Sequence, residues 1–174
     1  YAVSKLATEA YANAYSYSYG IKTLAFRFFN VYGPRQRADH PYAAVIPKFI
    51  SAALDGHPLS IFGDGRQSRD FTYVDSICAA IHRACSQQLE SLHPVNLAFG
   101  TQTTLAELVS LLEKVIGQEL SIDHLDPRPG DVRYSQAKTD RLSALIPDLG
   151  PTELSEGLQK TFEWFLDSRK SNGG

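Results

Sequence analysis

An alanine-rich run over residues 2–19, stopped by Gly20 and followed at once by the apolar stretch Ile21–Phe29, constrains the fold more than any other feature of the chain. Alanine and unbranched side chains favour a helix, and a glycine just past the last periodic residue is a common stop. Ile21–Phe29 is broken only by Lys22, Thr23 and Arg27, the pattern of a buried strand in a parallel sheet. A helix that feeds directly into such a strand predicts an α/β fold.

The alternation continues. Gly33-Pro34 ends the first strand segment, a polar loop covers 35–40, and 41–54 reads as a second helix with Pro47 as a kink or restart and Gly56 as its stop. Leu59–Phe62 is a short strand before the tight turn Gly63-Asp64-Gly65. Asp75 is placed to cap a helix over 76–88. A strand is expected over 93–99, and Thr104-Leu105-Ala106-Glu107 is a capping box opening a helix that ends at Ile116 before Gly117. A strand at 120–125, helices at 138–146 and 154–168, and a frayed tail complete the reading. Tyr11, Tyr15 and Tyr19 repeat at helical spacing, which suits a helix–helix contact.

Charge and cysteine content exclude several functions. The net charge is −2 with both signs interspersed, so no electrostatic case exists for nucleic acid or an anionic membrane as partner. No apolar run approaches the ~18 residues of a membrane span and no signal peptide is visible, so a soluble cytoplasmic protein is expected. The two cysteines, Cys78 and Cys85, share one predicted helix and cannot form a framework of bridges. With His82 they fall at i, i+4 and i+7, but Ile81 shares the stripe and no fourth ligand is near, so a buried helix face is expected and no metal. No G-x-S-x-G elbow occurs, which argues against a hydrolase. The chain lacks methionine and opens inside a helix without a cap residue, so it reads as a piece of a longer protein.

Three groups of residues suggest chemistry. Tyr1 and Lys5 stand one turn apart on one helix face, where an ammonium favours the phenolate form of a tyrosine and makes it a usable base, although a bare Y-x-x-x-K is more often a helix that carries the two by chance. Asn30 lies at the carboxyl end of the first strand, where ligands of open α/β sheets bind, although a turn asparagine bonding its own backbone is an equal reading. Arg69 offers paired donors that fit a phosphate, against a surface ion pair with Asp64 or Asp70, and Arg128 in the proline-rich 126–134 loop is a second such cation.

Taken in order, Y-A-V-S-K at 1–5, R-F-F-N-V-Y-G-P-R-Q at 27–36, A-A-V-I-P-K-F at 43–49, I-F-G-D-G-R-Q-S-R-D-F-T-Y-V-D at 61–75, V-N-L-A-F-G at 95–100 and R-P-G-D-V-R-Y-S-Q-A-K at 128–138 are distinctive. Their order and spacing resemble the carboxyl half of the NAD-dependent epimerase/dehydratase family, the extended short-chain dehydrogenases acting on nucleotide sugars, and within it the UDP-N-acetylglucosamine and UDP-glucose C4-epimerases.

The resemblance implies a partial Rossmann-like parallel sheet plus a small α/β substrate-binding subdomain. Residues 1–40 would end the NAD-binding domain, 41–168 would hold the nucleotide-sugar site, and 169–174 would be a disordered tail. It implies NAD as cofactor and a UDP-sugar as substrate. Tyr1 would be the catalytic base and Lys5 its partner and a ribose contact, with Phe29 lining the nicotinamide pocket. Asn30 would meet the nucleotide sugar, Ala44, Val45, Ser60 and Phe62 would enclose the uracil, Arg69 and Arg128 would clamp the diphosphate, and Asp131 would bind ribose. Two guanidiniums converging on a diphosphate have a joint reason that neither has alone.

The family's glycine-rich dinucleotide turn, ribose-binding acid and assisting Ser/Thr lie upstream of its Y-x-x-x-K motif and do not occur in this sequence. The chain alone is therefore expected neither to retain NAD nor to turn over, and to self-associate through the 21–28 strand surface and the first helix. Dehydratase or reductase relatives, or a noncatalytic nucleotide-sugar-binding or assembly module, are the competing readings. Ser76 and Lys138 stand where the family often carries other residues, and both read as peripheral.

Overall fold

The computed structural model describes residues 1–40 and 43–172. Among the described residues there are six helices and eight strands, in the order α1 (Ala2–Tyr19), β1 (Leu24–Phe28), β2 (Asn30–Tyr32), α2 (Val45–Leu54), β3 (Leu59–Phe62), β4 (Ser68–Arg69), β5 (Phe71–Tyr73), α3 (Val74–Ser86), β6 (Ser91–Leu97), β7 (Thr103–Thr104), α4 (Leu105–Ile116), β8 (Ile122–Leu125), α5 (Asp140–Leu145) and α6 (Leu154–Asn172). The α/β expectation holds, and three of the four strand pairs are parallel.

The pairs join distant segments. β1 lies parallel to β6, with Phe26 opposite Val95 and Phe28 opposite Leu97. β2 runs parallel to β5 with Asn30 opposite Phe71, and β3 parallel to β8 with Ser60 opposite Asp123. The short β4 and β7 are antiparallel. Strand alternation on β3 sends Leu59 and Ile61 into the core and leaves Ser60 and Phe62 on the other face.

Two cores result. The larger gathers Tyr32, Ile50, Leu59, Ile61 and Phe71 with α4 and α6. Leu105, Leu108, Val109 and Leu112 supply the apolar stripe of α4, at i, i+3, i+4 and i+7, and Leu158, Phe162 and Phe165 that of α6. The smaller packs Ile77 and Ala80 of α3 against Val95, Leu97, Leu142 and Ile146. Gly157 lets α6 lie against the Tyr32 ring: a Cβ there would overlap the Tyr32 hydroxyl and sit 2.9 Å from Tyr73 Cδ2. Burial, followed by the charges of Tyr73 and Glu156, pushes the Tyr32 phenol well above its usual range.

Several elements match the sequence reading residue for residue. α1 ends at Gly20 in the left-handed conformation, φ 65°, and α4 carries the complete capping box between Thr104 and Glu107 before closing at Gly117. Others differ. β1 is shorter than expected, and its residues are half-buried or exposed, because β6 is its one partner among the described residues. Pro47 does not kink α2: the helix begins at Val45, so the proline sits in the first turn, where no intrahelical N–H is required. Pro41, its expected first residue, lies outside the described residues.

Asp75 does not cap α3. Tyr73 is the cap, and Asp75 falls in the first turn, where a carboxylate suits the positive end of the helix. Cys78, Ile81, His82 and Cys85 lie on the exposed side of α3, not in the core, since Ser76, Ile77 and Ala80 take the inner face. No group of metal ligands occurs among the described residues. α6 continues to Asn172, and Arg169, expected in the loose tail, donates to Asp55 at 2.8 and 3.1 Å. Ser76 is buried, and its hydroxyl accepts the Thr152 N–H at 3.1 Å, tying α3 to the approach of α6. No helix among the described residues is long and apolar enough to cross a membrane.

Candidate functional site

A cavity of about 700 Å³ opens where β2, α2, β3, the β4–β5 stretch and the 128–131 loop meet. Asn30, Ala44, Val45, Ser60, Phe62, Arg69, Arg128 and Asp131, the eight substrate positions of the sequence reading, all line it. Each arrives by a different route. Asn30 opens β2, and its side-chain Nδ2 donates to the Asp70 carbonyl at 3.3 Å. Ala44 caps α2 in an extended conformation, so that the unpaired N–H groups of the first turn lie at the cavity wall. Ser60 and Phe62 share the face of β3 turned away from the core.

The cations are held in place before any ligand arrives. Arg69 Nη1 donates to the carbonyls of Val132 and Ser68 at 2.5 and 2.9 Å, and Nη2 pairs with the Asp131 carboxylate at 2.6 Å. Its partner is thus neither Asp64, which faces Arg133 at 3.5 Å, nor Asp70. The Arg128 guanidinium carbon stands over the Phe62 ring, 3.7 Å from its centroid, a cation–π contact that restrains the side chain. Lys48 of α2 also lines the cavity. Among the lining residues, three cations face one carboxylate, that of Asp131, so the cavity carries an excess of positive charge suited to a dianion.

Tyr1, Lys5 and Phe29 lie outside this lining. Tyr1 is 96% exposed at the start of α1, and the Lys5 ammonium stands 5.2 Å from its ring centroid. The two groups therefore share one side of the helix. Phe29 is half-buried between β1 and β2. α1 reaches the sheet through Glu9, whose carboxylate takes two 2.6 Å bonds from Arg27 and is held below its usual range chiefly by them.

Residues 1–98 match the model of the NAD dependent epimerase/dehydratase family. The chain belongs to this family. A UDP-glucose 4-epimerase of Mycolicibacterium smegmatis is 33% identical over 165 residues, covering 95% of this chain and 52% of that protein. The solved UDP-N-acetylglucosamine 4-epimerase from Methanobrevibacter ruminantium M1, in complex with UDP-N-acetylmuramic acid, is 39% identical with a TM-score of 0.88, covering 97% of this chain and 54% of that one. A UDP-glucuronic acid 4-epimerase from Bacillus cereus, in complex with UDP-glucuronic acid and NAD, is 31% identical with a TM-score of 0.83, over 95% and 52%. The chain of this epimerase/dehydratase family member spans about half the length of the relatives it matches.

Two features of the site escaped the sequence reading. Gln67, 8% exposed, donates to the Phe62 carbonyl at 2.7 Å and so braces the ring on which Arg128 rests. Asp70 is fully buried and accepts from the Gly100 N–H at 2.8 Å, the Thr101 hydroxyl at 2.9 Å and the Ala137 N–H at 3.2 Å. Its place beside Arg69 in the sequence suggested an ion pair. Asp70, between β4 and β5, is instead buried, while Arg69 lines the cavity.

Proposed function

We propose that the chain is the substrate-binding part of an NAD-dependent C4-epimerase of a UDP-hexose or UDP-N-acetylhexosamine, working through a 4-keto sugar. The observation that carries this reading is the convergence of Arg69, Arg128 and Asp131 with the uracil-enclosing positions Ala44, Val45, Ser60 and Phe62 on one cationic cavity. Paired guanidiniums match a diphosphate, and the Asp131 carboxylate accepts from ribose hydroxyls.

Of the family's cofactor, this chain would hold the nicotinamide–ribose end. The Tyr1 hydroxyl and Lys5 ammonium, side by side on α1, have the donor chemistry a ribose requires, and Phe29 supplies an apolar wall. NAD, when bound, provides a reversible store for a hydride. Tyr1 removes the proton of the C4 hydroxyl, and Lys5 steadies the resulting phenolate. Asn30 offers its polar side chain to the sugar end. Arg69 and Arg128 keep the diphosphate fixed while the keto sugar turns its other face, so binding energy rests on the nucleotide and not on the reacting ring. Residues 1–40 thus form the chemical arm, and 41–168 hold the nucleotide site.

Calorimetric titration with UDP tests this. Micromolar or tighter binding is expected, with Arg69→Ala and Arg128→Ala each weakening it by roughly 10- to 100-fold, the loss of one or two charge-assisted bonds. Absence of UDP binding would sink the reading and leave an assembly module. In support of assembly alongside binding, no residue of α1 is buried, and Tyr11, Tyr15 and Tyr19 are exposed. Homo-oligomerisation through α1 would appear as a concentration-dependent sedimentation coefficient, and a constant monomeric value would remove it.

A further inference from the structure

We propose that Asp70 is the positioning residue of the nucleotide cavity: its buried carboxylate, never touching ligand, sets Arg69 and the Arg128–Asp131 loop in register, while its backbone carbonyl holds Asn30. The inference rests on the cavity being a UDP site.

Its side chain is fully buried, and no cation pairs with it among the salt bridges of the described residues. Burying a carboxylate without a cation is costly, and an apolar side chain would fill the space more cheaply. The three donors that compensate it come from two irregular segments, Gly100-Thr101 ahead of β7 and Ala137 ahead of α5. All three are donors, the pattern that an acceptor-only carboxylate satisfies.

The same residue works through its backbone. The Asp70 carbonyl accepts both the Asn30 N–H and the Asn30 Nδ2, each at 3.3 Å. Its chain neighbours Arg69 and Phe71 both line the cavity. The 133–137 segment, which follows the Arg128–Asp131 loop, is pinned by three hydrogen bonds. Ser68 N–H donates to the Arg133 carbonyl at 2.9 Å and Ser135 N–H to the Ser68 carbonyl at 3.1 Å, and Ala137 N–H closes on Asp70 itself. Removal of the carboxylate frees one end of the loop and tilts β4 and β5, so Arg69 and Arg128 no longer converge.

A UDP titration of the 174-residue chain and its variants separates this from a merely structural role. Asp70→Ala should weaken UDP about 10- to 100-fold. Asp70→Asn should stay within about 3-fold, because its amide oxygen can take the Gly100 and Ala137 N–H groups while its NH2 donates to the Thr101 hydroxyl, which rotates to accept. In an Arg69→Ala background, Asp70→Ala should cost less than it does in the unaltered chain, since one of the two guanidiniums it positions is gone. Where Asp70→Ala fails to fold by circular dichroism, Thr101→Val enters the same cycle. Additive losses overturn the proposal, as does wild-type affinity in a folded Asp70→Ala chain; the nucleotide reading survives both. No UDP binding by the unaltered chain overturns that reading and the role of Asp70 with it.

Discussion

The two arms of this molecule are built to different standards. The cavity stands on a core in which Tyr32, Ile50, Leu59, Leu108, Leu112 and Leu158 are almost wholly out of water, and of its cations Arg69 is held by three hydrogen bonds and Arg128 by the Phe62 ring. α1, which carries Tyr1 and Lys5, has no buried residue and reaches the sheet through Glu9 and Arg27. The difference teaches where precision is needed. Donors hold an anion best when they are fixed before it arrives, and a fixed donor needs a core beneath it.

The sharpest way to break the contrast is to excavate the core. Leu158→Ala, at a fully buried position of α6, should lower stability by about 2–5 kcal/mol in urea unfolding. A smaller loss would mean that the core is looser than its burial implies. Next comes overfilling: Gly157→Ala pushes a methyl into Tyr32 and Tyr73 and should cost about 1–3 kcal/mol, with a fall in melting temperature.

Alkali probes the same spot. Below about pH 10 the Tyr32 phenol is protonated in both folded and unfolded chains and contributes no pH dependence. Above it the unfolded chain loses its proton first, because burial raises the folded value, so stability should fall as pH rises from about 10. Tyr32→Phe should flatten that decline in part, and Tyr73, raised the same way by desolvation, keeps the remainder. The smallest effect is expected on the other arm: Leu6→Ala, at a 63% exposed position, should change the stability of the monomer by less than about 0.5 kcal/mol. A larger loss at low protein concentration would show that α1 is better anchored than its surface suggests.

Elements with strong local signals were legible in the sequence. Thr104 and Glu107 announce the start of α4, Gly20 and Gly117 the ends of α1 and α4, and Leu59–Phe62 a strand. The pieces that join distant segments were not. β4, β5 and β7 have two or three residues each, too few for a period to show, and exist because their partners are there. The α3 stripe of Cys78, Ile81 and Cys85 was apolar enough to read as a core face, but Ile77 and Ala80, one position away, occupy it. At the site, motif resemblance named residues that line one cavity, whereas the Arg69–Asp131 pair spans 62 positions and could be read only from coordinates. Asp70 was hidden for the same reason.

The parallel pairing of β3 with β8 has a consequence for how the protein comes into being. Ser60 waits for a strand that lies more than sixty residues later, and Arg69 for a loop later still. A nascent chain still lacking that stretch has already emerged with Lys48 and Arg69 but not Arg128, and has no hollow to place them around. Closure of so distant a contact is slow, so the cavity should be among the last features completed during synthesis.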